Sequence, residues 1–346
     1  MGSLRAGSLR QSTHQRFTVS ETADVGAVRR AVAGYADRLR TGLGLADRAG
    51  LAATELATNL LHHAHPGGCI LARPLPEGAV EILAIDHGPG IIDVAAAVGG
   101  RSLPRHGLRR GLSAVTHLSS PFDIDTGPGR GTTVLAVVIP GTVGGDAATP
   151  QPTRSWGGVS VGIDEACGDA WAIAEDSSGT TVAVVDGIGH GAYASAAADA
   201  AVHILAEDPA DLDGYLSRAN AAMLGTRGAV VAVCRLEPRR GELRCLSVGN
   251  ISGAILRSGA RRTLIHDRGA VGTAATPPRA KITSYPWLPG ATLVLWTDGL
   301  VSHIDLAVYL GLMRHDPAIA AAAMYRDHST GRDDSTVVIV RNPAQT

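Results

Sequence analysis

Hydrophobic positions along this chain recur at two different periods, and the changes of period mark out its parts. A short strand ends at Val19. After it Val25, Val28, Val32 and Leu39 fall on one face of an amphipathic helix. A second helical pattern covers roughly residues 46–63, and a third runs over 111–118. Two-residue alternation or short apolar runs predict strands at 80–85, 122–125 and 132–139. The pattern then breaks over residues 141–155, rich in Gly, Pro and Thr and nearly free of large apolar side chains, as a flexible linker is. Strand periodicity resumes at Val159 and Val161 and returns at 171–174, 180–185, 292–297 and 335–340, with 243–248 and 251–257 reading as a hairpin. Helices are predicted at 192–205, 216–224 and 318–325; in the first, Ala192, Ala196 and Ala200 are spaced for close packing on a sheet.

At 346 residues the chain exceeds one ordinary core. We expect an irregular, disordered arm at 1–16, one domain at 17–140, a linker at 141–155 and a second domain at 156–346. Lys and Arg number 31 against 32 for Asp and Glu, no basic block stands out, and aromatics make up 3%. This composition argues against a nucleic-acid partner. Cys69, Cys167, Cys234 and Cys245 show no CxxC spacing and read as free thiols of a reducing, cytoplasmic setting. No apolar run reaches the ~18 residues of a membrane span, and the N-terminal stretch lacks the apolar core of a signal peptide.

Candidate chemistry sits where elements end. Glu55 and Asn59 are four apart on the second helix and share a face. An amide oxygen there can hold a hard cation while the acid orients a nucleophile; two solvated polar side chains are the plainer alternative. The strand at 80–85 delivers Asp86 into Gly88 and Gly90, whose lack of side chains permits close approach of a flat ligand. Arg101, Arg105, Gly107, Arg109 and Arg110 then precede a helix opening near Gly111, an arrangement suited to phosphate. A glycine-rich turn ends in Gly131 and Thr132.

In this order, Glu55-xxx-Asn59, Asp86-x-Gly88-x-Gly90, Gly107-xxx-Gly111 and Gly129-Arg130-Gly131-Thr132 resemble the GHKL ATPases, most of all the anti-sigma-factor serine kinases of the RsbT type. The resemblance covers about residues 17–140. It implies an α/β sandwich binding ATP and Mg²⁺, with Asn59 on the metal and Glu55 as general base toward a protein hydroxyl. It further implies Asp86 on the adenine amino group, Gly88 and Gly90 along the base, and Gly107, Gly111, Gly131 and Thr132 near the phosphates or the adenine.

In the second half, acids again close or open strands: Asp169, Asp186, Asp298 and the Asp333-Asp334 pair. Any one of them could be a turn residue or a strand-end cap. Together at one sheet mouth they would repel unless divalent cations neutralise them, and an all-oxygen set suits Mg²⁺ or Mn²⁺ over zinc. Two such ions can activate a water and clamp a phosphoryl group.

The segments Asp186-Gly187-Ile188-Gly189-His190-Gly191, Thr226-Arg227-Gly228-Ala229, Gly249-Asn250, Thr297-Asp298-Gly299-Leu300 and Arg332-Asp333-Asp334-Ser335-Thr336 resemble the metal-dependent serine/threonine phosphatases, in their SpoIIE branch with the compact RsbX-like members. The resemblance spans about residues 156–342 and implies an αββα sandwich, so that the whole chain is α+β. It implies that Asp186 bridges two Mn²⁺ or Mg²⁺ ions and that Gly187 offers its carbonyl. Asp298 and Asp333 would hold the first ion, and Asp169 would lie at or near the second. Asp334 would stand behind the ligands; His190 is open between a leaving-group acid and a structural role. The two resemblances together imply a partner-switching regulator whose substrate is a STAS-type antagonist protein upstream of a stress-type sigma factor. The oligomeric state stays open.

Overall fold

The computed structural model describes residues 11–39, 44–65, 67–99, 108–141 and 154–343. Most of the expected linker, and residues 1–10 of the expected arm, lie outside the described residues. The chain forms two compact units. The first consists of His14–Arg154 and Arg314–Arg326; the second takes Ser155–Met313, Asp327–Thr346 and the residues up to Thr13.

In the first unit the chain runs β1 (Gln15–Val19), α1 (Thr22–Leu39), α2 (Leu45–His63), β2 (Gly68–Pro74), β3 (Val80–Asp86), α3 (Val94–Val98), α4 (Leu108–Leu118), β4 (Phe122–Thr126) and β5 (Thr132–Val138). The strands make one antiparallel sheet in the order β1-β2-β3-β5-β4. β1 opens at Gln15, inside the stretch expected to be an arm, because Gln15–Val19 pairs with Gly68–Ala72 along its whole length. Alternate residues of the sheet, among them Ile70, Ile82, Val134 and Ala136, form one core with Val28 and Val32 of α1, Leu56 of α2 and Leu112 of α4. Small residues of α2 (Ala49, Ala52, Ala53, Ala57) are all buried in that core, which suits close helix packing.

The opposite face of this sheet is just as dry: Leu71, Leu83 and Leu135 are fully buried. It also carries a charged cluster. Glu81 accepts from Arg73 and Arg154 at 2.7 Å each, and His14 Nε2 lies 3.2 Å away. Arg154 also forks onto both oxygens of Asp316 at 2.8 Å. Asp123 of β4 accepts from the Asp316 backbone N–H at 2.6 Å and pairs with His315 at 2.9 Å, while Arg326 reaches Thr133 of β5. These bonds tie Arg314–Arg326 along the sheet, although some 160 residues separate this segment from the rest of its unit. Burial opposes the charge on Glu81, but the Arg73 and Arg154 guanidiniums, with the His14 hydrogen bond, hold it well below the ordinary carboxylate range.

The second unit comprises β6 (Trp156–Val161), β7 (Asp169–Glu175), β8 (Thr180–Gly187), α5 (Ala192–Glu207), α6 (Leu212–Met223), β9 (Ala229–Glu237), β10 (Glu242–Val248), β11 (Ser252–Arg257), β12 (Ala260–Thr263), β13 (Thr283–Pro286) and β14 (Thr292–Trp296), and ends with β15 (Ser335–Arg341). Between β14 and β15 lies α7 (Pro317–His328), most of which belongs to the first unit. It is apolar all round and correspondingly buried on all sides from Pro317 to Met324.

Two antiparallel sheets, ordered β13-β10-β9-β8-β7 and β12-β11-β14-β15-β6, face each other. Trp171, Val182 and Val184 of the first meet Leu293, Leu295 and Val338 of the second in one core. The outer face of the first sheet packs Ala172, Val185 and Val231 against Ala197, Ala201 and Leu205 of α5 and Leu212 and Tyr215 of α6. One expectation is corrected. β10 and β11 do not form a hairpin: β10 pairs with β9 and β13, β11 with β12 and β14. The turn at Gly249, with φ +104°, carries the chain from one sheet to the other. Two alternating strands with a Gly-Asn between them look the same in sequence whether they share a sheet or not.

Candidate functional site

In the first unit, Asn59, Asp86, Gly90 and Thr132 line one cavity of about 170 Å³, walled by apolar side chains that include Leu56, Ile91 and Val134. Its floor is the end of β3. Asp86 Oδ1 accepts from the N–H groups of Gly88 (2.7 Å) and Thr132 (3.2 Å), while Oδ2 accepts no hydrogen bond among the described residues. Burial raises the Asp86 carboxyl, opposed by those two donors and by the more distant Arg326. An acid fixed by one oxygen at the base of an apolar cavity can accept from a neutral amino group with the other.

The glycines shape this floor. A side chain on Gly90, whose φ is +78°, would run into the Gly127 carbonyl, and one on Gly131 would strike the Asp86 carbonyl. A Cβ on Gly88 would lie 2.9 Å from Asp86 Oδ1. Thr126, which sequence reasoning did not single out, ties the walls together: its hydroxyl accepts from Ile91 N (2.9 Å) and meets Thr132 Oγ1 at 3.0 Å.

Glu55 and Asn59 meet the start of α4. A Cβ placed on Gly111 would lie 2.8 Å from Glu55 Oε2 and 3.3 Å from Asn59 Oδ1. The Asn59 amide Nδ2 is buried with no partner among the described residues, an orphaned polar group at the cavity wall. As placed, the amide turns a donor to the cavity; turned about, it would present its oxygen, and with the adjacent Glu55 carboxylate that arrangement fits a nucleotide-bound Mg²⁺. Gly107 and the arginines at 101 and 105 lie outside the described residues.

In the second unit the acids come from both sheets. Asp169 and Asp186 are direct cross-strand partners of β7 and β8, so their carboxylates share one face. Asp298 follows β14 and Asp333 precedes β15 in the other sheet. Thr297 bridges the sheets: its hydroxyl donates to Asp169 Oδ2 (2.8 Å) and accepts from Thr336 N (2.9 Å). Asn250, at the turn between the sheets, donates to Asp298 Oδ2 at 2.8 Å. Asp334 is occupied on both oxygens, by the N–H of Ile163 (2.8 Å) and of Gly168 (2.6 Å), and so pins the loop leading into β7. His190 pairs with Asp164 at 2.6 Å on the exposed rim. A side chain on Gly187 would collide with the Ala194 carbonyl, so strand β8 passes tightly under α5.

Electrostatics show these groups as one cluster. Burial, with added repulsion from Asp169, Asp298, Asp333 and Asp334, pushes Asp186 up to about 8. Asp169, 1% exposed, is pushed up to about 7 by burial and by Asp334 and Asp298, against the Thr297 hydrogen bond. Among the described residues no three of these side chains close into a ready-made metal cage. The donor set itself, carboxylate oxygens that together raise Asp186 and Asp169, is the chemistry that hard divalent cations relieve.

A family model for histidine kinase-like ATPase domains matches residues 18–138, and one for stage II sporulation protein E (SpoIIE) matches residues 176–343. Among solved structures, a chain from the bacterial stressosome, in a system described as adapted to control secondary messenger signalling, is 26% identical, with 54% of this chain and 98% of that one covered and a TM-score of 0.51. RsbX in complex with magnesium is 21% identical over 53% of this chain and 92% of its own, with a TM-score of 0.46. The PP2C domain of SiaA from Pseudomonas aeruginosa is 21% identical over 54% and 85%, with a TM-score of 0.45. No curated protein matches the chain significantly. With the cavity at Asp86 in the one match and the acids of both sheets in the other, the chain joins a histidine kinase-like ATPase domain to a SpoIIE phosphatase domain.

Proposed function

We propose that the SpoIIE domain hydrolyses phosphoserine or phosphothreonine on a small STAS-type antagonist protein, and that the ATPase-like domain binds ATP with Mg²⁺ and phosphorylates a STAS-type protein. The chain would thereby act as a cytoplasmic partner-switching regulator of a sigma-factor or stress pathway. The observation that carries the phosphatase is the convergence of Asp169, Asp186, Asp298 and Asp333 from two sheets, tied by Thr297 and Asn250 and mutually repelling. Asp186, with Asp298 and Asp333 and the Gly187 carbonyl, would hold two Mn²⁺ or Mg²⁺ ions, and Asp169 would lie at or near the second. When bound, these ions supply Lewis-acid activation of the attacking water and neutralise charge on the phosphoryl oxygens. Asn250 donates to one oxygen of Asp298, and Asp334 holds the neighbouring loop by its two backbone bonds.

In the ATPase-like domain Asp86 Oδ2 would take the adenine amino group, the apolar walls would exclude water from the base, Asn59 would face Mg²⁺, and Glu55 would accept the proton of the protein hydroxyl. Support for the partner class comes from the stressosome likeness and from the family resemblance of both halves. The test is to incubate the purified protein with radiolabelled ATP and STAS proteins, with and without Mn²⁺. Label that appears on a STAS protein and is then removed in a Mn²⁺-dependent way is the expected result; no transfer, and no loss of label from a pre-phosphorylated STAS protein, rejects it.

A second reading gives the ATPase-like domain a regulatory role without phosphoryl transfer. It is favoured by the membership of Arg314–Arg326 in the first unit, since this segment lies in sequence between Asp298 and Asp333, and its Arg326 acts on Asp86. On that reading a non-hydrolysable ATP analogue changes phosphatase turnover, and Glu55→Ala leaves the change intact.

A further inference from the structure

Beside the acid cluster stands a cation that the proposed chemistry does not use. β8 and β9 pair in register with Asp186 opposite Val230 and Gly187 opposite Ala229. The ladder is continued by the bond from Ile188 N to Gly228 O at 3.0 Å, which delivers Arg227 opposite Gly189. A Cβ on Gly189 would lie 2.9 Å from Arg227 Nη1, so the guanidinium rests on the Asp186–Gly191 loop itself. Its carbon stands 5.3 Å from the ring centroid of Tyr193, a side chain that is 73% exposed.

Three other arginines of this domain pair with aspartates: Arg218 with Asp211, Arg235 with Asp176 and Arg244 with Asp213. Arg227 makes no ion pair or hydrogen bond among the described residues, although the same rim carries the exposed Asp164 and Asp298. A guanidinium over an aromatic ring keeps N–H donors available, and its planar fork can bind carboxylate or phosphate through two parallel bonds. The glycine opposite leaves room for that placement. The loop that supports it is the one that carries Asp186 and Gly187, so an oxyanion received there belongs to whatever is presented to the acid cluster.

We propose that Arg227, poised over the Tyr193 ring, is a specificity-determining residue that receives an oxyanion of the bound phosphoprotein. The assignment rests on the phosphatase reading of this site. The shared chemistry is a resonance-stabilised oxyanion, supplied by the phosphoryl group or by a carboxylate flanking the phosphoserine, and the substrates of the test separate the two sources.

The test uses the full chain with Mn²⁺ and compares wild type, Arg227→Gln, Arg227→Lys and Tyr193→Leu. Turnover is followed on p-nitrophenyl phosphate, on a phosphoserine peptide with flanking Glu residues, and on the same peptide with Gln in their place; binding of the labelled peptides is followed separately by fluorescence anisotropy. Arg227→Gln is expected to raise KM and weaken peptide binding on the order of 10- to 100-fold, the usual worth of a charge-assisted pair, with kcat little changed. Arg227→Lys should restore part of the loss, and Tyr193→Leu should show a smaller rise. A rise confined to the Glu-flanked peptide assigns the oxyanion to the flank; a rise on all three substrates assigns it to the phosphoryl group. Unchanged KM and binding in Arg227→Gln overturn the assignment, as does an equal fall of kcat on every substrate at constant KM, which would make Arg227 only a prop for the Gly189 loop. Wild-type protein that binds peptide through Arg227 but turns over none of the substrates would sink the phosphatase reading and leave the assignment standing.

Discussion

The two domains each place an aspartate at a strand end, and the two aspartates live in opposite surroundings. Asp86 is alone: its carboxyl is raised by burial in an apolar cavity, and one oxygen is already fixed by two backbone donors. Asp186 has company: burial raises it, and four further aspartates add to the shift. A solitary desolvated acid suits a neutral hydrogen-bond donor of definite shape, whereas a cluster of acids suits multivalent cations whatever their shape. Residue type and strand-end position are alike in the two cases. The difference lies in how many other carboxylates the fold brings to the same place.

The sharpest way to break the comparison is to remove Asp186, the acid proposed to bridge the two ions. Asp186→Asn should lower Mn²⁺-dependent phosphatase turnover on the order of 10³-fold, the rate equivalent of ~4 kcal/mol. Circular dichroism should stay native, because the substitution relieves repulsion rather than breaking a pair. Retained turnover would show that the cluster is not the metal centre.

A comparable loss, but of stability, is expected in the other domain from Glu81→Ala, which takes the shared carboxylate away from the buried Arg73 and from Arg154, leaving Arg154 its pair with Asp316. Breaking a buried ion pair costs about 3–5 kcal/mol, read by urea titration of the transition that reports the first unit. Acid should act in the same direction. The folded-state pKa of Glu81 is depressed, so its contribution is present above the ordinary carboxylate value of 4.5 and is lost as pH falls through the lowered one.

Next comes the solitary acid. Asp86→Ala should weaken binding of a fluorescent ATP analogue by about 10- to 100-fold while leaving Mn²⁺ affinity in the other domain unchanged. A loss of both would mean that the sites are not separate in kind. Asn250→Ala, which frees Asp298, should cost roughly 10- to 100-fold in metal affinity with nucleotide binding untouched, measured by metal titration.

The smallest effect belongs to pH. The Asp123 carboxylate beside His315 raises its imidazole. A raised histidine stabilises fully below its unfolded value near 6.5 and loses that contribution as pH climbs through the folded value. The thermal transition of the first unit should therefore soften on the alkaline side in wild type and lose this dependence in His315→Gln.

Much of both sites is legible from sequence because the chemistry is local in sequence. Asp86 with its glycines, the Glu55 and Asn59 pair, and the acids at 169, 186, 298 and 333 are each announced by a strand pattern that stops at an acid or begins after one. What is illegible depends on long-range pairing. Arg73 and Glu81 are lone charges in otherwise apolar runs, and nothing beside them in sequence says that both are fully buried: Arg154 and a segment near residue 316 arrive from far along the chain. The alanine-rich helix at 318–325 is visible as a helix, but nothing in its composition says that it joins the first unit. Asn250 and Thr297 could have been found: each lies within a motif that sequence singles out, and a short polar side chain next to a candidate ligand is a signal for a positioning role.

The central claim, that the acids of the second domain form a two-ion centre bridged by Asp186, is met most directly by isothermal titration of Mn²⁺ into the full chain. The account predicts two ions bound by the wild type, one lost in Asp298→Asn, and both weakened together in Asp186→Asn. An Asp186→Asn protein that still binds two ions with wild-type affinity would contradict it.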